Sequence, residues 1–339
     1  MIDYSKFEYV DVKLNQIDDE KKEKFKKFID TLKVKYNKKE VIVSYRGTGY
    51  KKVEEELKKY TTDYISESDI LKKLYLMGQK PSFAKARKIN PNKREIYKDG
   101  INDCSEIVLD DLFTQLSQIL KEKRLEERVE KHISEEFKNY FLNEDNRLIF
   151  VKKIDSLKRE NKLLIRDYYL YLLHTSNVMK EDSILVSTST LISIARKFAS
   201  FALRDNNDIA VIFHYFICEP YICHTFTPWK MDKFEEFEKD IKEEKGFPIY
   251  NAKGLFPKQN EVAIKGGLFP QNILGIELLK EKKMIVNPHL FEKYNDIESI
   301  FEYGMILINQ STFYEEVKGT EYSHINHRDS CGFSSEEVQ

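Results

Sequence analysis

Three short apolar runs, far apart in the chain and rich in β-branched residues, each border a polar segment. Val41-Ile42-Val43 precedes Ser44-Tyr45-Arg46-Gly47-Thr48-Gly49, Ile184-Leu185-Val186 precedes Ser187-Thr188-Ser189-Thr190, and Val262-Ala263-Ile264 follows Gln259-Asn260-Glu261. Runs of this composition, bounded by small and polar residues, read as short strands. Ser187 lies 141 positions after Arg46, and Glu261 lies 72 after Ser189. A fold built on these strands must therefore gather them across long helical stretches, which points to the α+β class.

The stretches between are legible in outline. Residues 18–36 place Phe25, Phe28, Ile29 and Leu32 at helical spacing among lysines and acids, with Asp18 or Asp19 as N-cap. The strand through Val41-Ile42-Val43 is expected to end at Arg46. Residues 51–76 return to helical spacing, and the basic stretch Lys85–Asp103, with Pro91 and Gly100, reads as a loop. Residues 105–125, 127–141, 145–161 and 163–174 read as helical, in three or four segments, with Tyr168, Tyr169 and Tyr171 as packing residues and the acids at 126–127 and 135–136 on a solvated face. After the Ser-Thr-Ser segment, Leu191–Ala199 starts a helix capped by a hydroxyl. The run Ile209–Phe213 with Tyr215–Ile217 is apolar on both faces and reads as a central strand. Residues 231–245 form a charged helix, the runs at 273–276 and 305–308 closing strands, and Arg328–Gln339 a polar, frayed tail.

Composition excludes several classes. Lys+Arg 56 against Asp+Glu 57 leaves no net field of the kind that non-specific nucleic-acid binding needs. The N-terminus opens with an acid and lacks an apolar core, so no secretory signal is expected, and no run is long and apolar enough to span a membrane. Four cysteines fit reduced thiols and a cytoplasmic location. His214, Cys218, Cys223 and His224 do not match a common zinc spacing and read as core or edge residues, so no metal is expected.

An arginine, a cluster of small hydroxyls and a glutamate suit the cleavage of an N-glycosidic bond beside a pyrophosphate. The guanidinium fork matches phosphate oxygens and keeps its charge. Gly47 would let a ligand approach the backbone. Glu261 would stabilise a developing ribosyl cation, with a serine fixing its rotamer. Gln259, two residues earlier, would face the same side of a strand and orient the nucleophile.

Tyr45-Arg46-Gly47, Ser187-Thr188-Ser189 and Gln259-Asn260-Glu261 resemble the arginine–serine–glutamate class of mono-ADP-ribosyltransferases, the bacterial toxins among them. The flanking Glu261-Val262-Ala263-Ile264-Lys265-Gly266-Gly267 resembles that family's catalytic strand and turn, and Phe256-Pro257 its aromatic turn before the strand. The resemblance implies a split β-sandwich around an NAD cleft, with NAD as substrate. Arg46, Gly47, Tyr45, Thr188 and Ser189 would hold the dinucleotide, Glu261 would be catalytic, Gln259 would select the acceptor, and Ser187 or Ser189 would steady Glu261. Glutamine at 259, where arginine-modifying members carry glutamate, points to a macromolecular acceptor other than arginine, in protein or nucleic acid.

The long intervals imply a core of residues 1–64 and 162–320, a helical insertion at 65–161 and a tail at 321–339. FRG-type domains also place a long helical stretch after an Arg-Gly strand, but with a different second motif. By analogy with intracellular members, the role would be that of a toxin or antiphage effector held by an antitoxin protein. Two alternatives stay open: an NAD glycohydrolase on the same fold, and a catalytically silent module that binds a partner.

Overall fold

The computed structural model of the protein describes residues 1–58, 104–176, 185–206, 208–218, 225–226, 239–244, 246–250, 255–265, 273–288 and 290. Expectations for most of the insertion before residue 104, for the basic stretch up to 103, and for 231–238, 305–308 and the tail fall outside these residues. So do Cys223 and His224. The elements, in chain order, are β1 (Glu8–Val10), α1 (Asp19–Asn37), β2 (Val41–Gly49), α2 (Tyr50–Lys58), α3 (Glu106–Lys121), α4 (Glu127–Glu130), α5 (Glu135–Leu142), α6 (Asn146–Asp155), α7 (Arg159–Thr175), β3 (Leu185–Ser189), α8 (Ile192–Asn206), β4 (Ala210–Cys218), β5 (Thr225–Phe226), β6 (Glu261–Lys265), β7 (Ile273–Leu278) and β8 (Lys283–Val286). The protein is thus mixed α and β. By compactness it divides into one unit of Met1–Lys85, Ser187–Tyr221 and Gly266–Ser330, and a second of Ala86–Val186, Ile222–Lys265 and Cys331–Gln339.

The first unit is a mixed sheet in the order β1-β8-β7-β4-β2-β3. β1 runs parallel to β8, and the other neighbours are antiparallel. β4 is central, as its two apolar faces require. The β2–β4 ladder runs unbroken from Val41↔Cys218 to Gly49↔Ala210, whereas β2 meets β3 at the single pair Tyr45↔Ser189. Along β2, Val41, Val43 and Tyr45 enter the same core as Phe25, Phe28, Ile29 and Leu32 of α1, in keeping with a period of two on the strand and 3.6 on the helix. Asp18 caps α1 by accepting from Lys21 N–H at 2.8 Å.

β2 continues three residues past Arg46, so the arginine lies within the strand and not at its end. Its partner strand keeps supplying ladder bonds, and α8 covers the strand beyond the arginine. A Cβ built on Gly47 would sit 1.7 Å from the Ala195 carbonyl oxygen and 2.8 Å from Ala199 N. Gly47, Ala195 and Ala199 together let α8 lie against the strand.

The second unit is a helical layer with an aromatic core. Phe113 of α3, Phe137 and Phe141 of α5, Phe150 of α6 and Tyr169 of α7 are fully buried. Their rings meet at 4.6 Å (Phe137–Phe141), 5.1 Å (Phe113–Phe141) and 5.2 Å (Phe141–Tyr169), mostly tilted or edge-on. The segment predicted as one helix over 127–141 is broken at 131–134, where Ser134 starts a new helix by capping Phe137 N–H at 3.2 Å.

Helices of the stretch 104–161 and the segments around Glu261 fall in one compact unit. Residues 246–250 are strapped onto these helices: Tyr169 donates to Pro248 O at 2.8 Å, Ser134 Oγ to Ile249 O at 2.8 Å, and Tyr250 N–H to the Tyr168 hydroxyl at 3.0 Å. Tyr250 also stacks on Tyr168, with ring centroids 4.1 Å apart. No described helix is long and apolar enough to cross a membrane.

Candidate active site

In the first unit, alternation along β2 separates the members of the Tyr-Arg-Gly segment. Tyr45 goes to the core, 2% exposed and edge-on to His214 at 5.1 Å. Its ring is therefore withdrawn from any ligand, contrary to the role expected of it. Gly47, on the same face as Tyr45, is covered by α8, and the glycine there serves packing where close approach of a ligand was expected. Arg46 takes the opposite face. It is half-buried, its Nη1 donates to the Ser187 carbonyl at 2.8 Å, and its Nε is buried with no partner among the described residues. A guanidinium carries five donors, so this one is fixed in place with capacity left for an anion.

Ser187, half-buried, thus meets Arg46 through its backbone. Thr188 and Ser189 are buried at 4% exposure. Ser189 Oγ accepts from Leu191 N–H at 3.0 Å, closing a two-residue turn just ahead of α8.

The same unit holds a polar network that sequence reasoning did not find. His214 is fully buried, with Nδ1 3.2 Å from the Tyr4 hydroxyl and Nε2 3.0 Å from Glu277 Oε2, and Arg196 Nη2 donates to Glu277 Oε1 at 3.3 Å. Burial pushes the His214 pKa down, against the pull of Glu277. A neutral ring that accepts from Tyr4 at Nδ1 and donates to Glu277 from Nε2 satisfies every partner. Burial alone would raise the Glu277 carboxyl, but the bonds and charges of His214 and Arg196 outweigh it and hold the pKa low. His214 and Arg196 lie 63 and 81 positions from Glu277 in sequence, and nothing in the strand pattern announces either contact.

In the second unit, Glu261 opens β6 and is buried at 6% exposure. The chain reaches it through Pro257–Gln259, one turn of 3-10 helix closed by Gln259 N–H donating to Phe256 O at 2.9 Å. Phe256 (φ 56) and Asn260 (φ 44) bracket the turn in the left-handed region. Asparagine tolerates that region, while a phenylalanine there stores about 1–3 kcal/mol of strain, of the kind that collects at functional sites. The Arg128 guanidinium lies over the Phe256 ring, 5.5 Å from its centroid. Gln259 is therefore not on the strand with Glu261, and the rule that residues two apart share a face does not carry across the turn.

The Tyr171 hydroxyl donates to Glu261 Oε2. The helical spacing of Tyr171 reads only as packing, and the sequence carries no sign of this bond across 90 positions. Burial pushes the Tyr171 phenol well above its ordinary pKa, and the charge of Glu261 adds to the effect, so the hydroxyl remains a donor.

Comparison with family models, curated proteins and solved structures finds nothing that matches the chain.

Proposed function

We propose that the protein is an NAD-dependent mono-ADP-ribosyltransferase. The observation that carries this reading is the bond from Arg46 Nη1 to the Ser187 carbonyl, which ties two of the three motif segments together across 141 positions and leaves a buried Nε without a partner among the described residues. Arg46 would hold the pyrophosphate of NAD. Glu261 would accept from a ribose hydroxyl and stabilise the cation electrostatically. The bond from ribose C1′ to nicotinamide breaks with its electron pair leaving on nicotinamide. The acceptor then attacks C1′ of the oxocarbenium ion and gives up its proton. The same reading takes the finer architecture to be a split β-sandwich. The acceptor is a residue other than arginine, or a nucleic acid, and the biological role is that of a toxin or antiphage effector.

The test is incubation with NAD labelled on its adenylate phosphate, in the presence of cell lysate. Label should appear on macromolecules, be removed by either protease or nuclease, and disappear with Glu261→Gln, a loss of about 10²–10³-fold for an electrostatic group of this kind. Free labelled ADP-ribose without macromolecular label would identify water as the acceptor instead. Intact NAD after prolonged incubation would sink the enzymatic reading.

A further inference from the structure

We propose that Tyr171 is the positioning residue of Glu261: its phenol donates to Oε2 and fixes the carboxylate in the orientation that the ribosyl cation meets. The inference rests on the transferase reading for the identity of the reaction, and on the second unit alone for its geometry.

A hydroxyl can fix a carboxylate only if it is itself immobile. Tyr171 is fully buried in α7. Its ring is flanked by Phe226 of β5, with centroids 5.5 Å apart, and by His174, at 6.2 Å. One turn earlier on the same helix, Tyr168 accepts from Tyr250 N–H at 3.0 Å and stacks on the Tyr250 ring. Residues three apart on a helix share a face. One face of α7 therefore anchors the strap at 246–250 through Tyr168 and grips Glu261 through Tyr171. At the other end of the bond, Glu261 comes directly after the left-handed Asn260 and starts a strand, so its backbone is set before its side chain is. The phenol then removes the remaining rotamer freedom of a long acidic side chain. Preorganisation of this kind gains rate because a displacement of about 1 Å at a reacting group can cost 10²-fold. A buried carboxylate also needs a donor for stability alone, and the experiment separates the two roles.

Nicotinamide release from NAD is measured for the full chain and for Tyr171→Phe and Glu261→Gln, with kcat and KM resolved and melting temperature recorded. Tyr171 is fully buried and acts through the Glu261 carboxylate. Tyr171→Phe is therefore expected to lower kcat by about 10–100-fold while KM for NAD stays within about twofold. An unchanged kcat in Tyr171→Phe, beside an inactive Glu261→Gln, overturns the positioning role and leaves the transferase reading standing. Full activity in Glu261→Gln overturns both. Should Tyr171→Phe fail to fold, Tyr171→3,5-difluorotyrosine keeps the ring and its packing and alters only the acidity of the donor. The positioning role then predicts a kcat change of about threefold or more at constant KM, and a kcat that does not move overturns it.

Discussion

The two compact units hold their polar groups by different means. In the first, Arg46 is placed by a regular antiparallel ladder and a helix seated on glycine and alanine, and the buried Glu277 is satisfied by a neutral, buried His214 and by the exposed Arg196. In the second, Glu261 sits behind a turn bracketed by two left-handed residues and is held by a tyrosine from a helix whose other tyrosines anchor the preceding segment. The first arrangement is set by local periodicity. The second depends on an aromatic layer whose rings come from several helices. It follows that damage to the helical layer should reach Glu261 even at residues remote from it, whereas damage to the sheet should act through Arg46.

The strongest way to break this comparison is Phe141→Ala, at the centre of the aromatic cluster. Truncation of a fully buried phenylalanine costs about 3–5 kcal/mol, and the variant should lose NAD turnover together with protection of the 246–250 amides in hydrogen exchange. Retained protection there would show that the strap does not depend on the cluster. Next is Gly47→Ala, which places a methyl within 1.7 Å of the Ala195 carbonyl. Overpacking of this kind costs about 1–3 kcal/mol or more. Exchange should quicken in β2 and α8 while the helices of the second unit keep their protection, and uniform loss across the chain would argue against separate units.

The polar core sharpens the same contrast through pH. The His214 pKa is lowered by folding, so the stability linked to it is present above the ordinary histidine value of 6.5 and is lost as pH falls below it toward the folded value. The Glu277 pKa is also lowered, and its contribution fades below the ordinary carboxyl value of 4.5. Melting temperature should therefore fall between pH 7 and pH 5, with the loss starting in the first unit. His214→Phe should cost about 1–3 kcal/mol at neutral pH, since it strands Tyr4 and Glu277, and should flatten that slope. A slope identical to that of the parent protein would remove His214 as its source. The smallest expected effect is at Arg128→Ala, where loss of an exposed cation–π contact to Phe256 is worth about 0.5–1 kcal/mol. A turnover change larger than tenfold would give that contact a role beyond packing.

Much of the scaffold could be read before any coordinates. The Phe25/Phe28/Ile29/Leu32 spacing specified α1 and its buried face, an acid at 18 or 19 specified its cap, and the doubly apolar run at 209–217 specified a central strand, because each depends on the pattern of one segment. Tertiary structure alone decided which atoms meet. It put Tyr45 in the core and Arg46 opposite, gave Gly47 to a helix, and took Gln259 off the strand. It also joined Tyr171 to Glu261 and His214 to Glu277. Backbone periodicity is written locally and sets which face a side chain takes, whereas a hydrogen bond between residues tens of positions apart is fixed only when packing brings the two buried groups within reach.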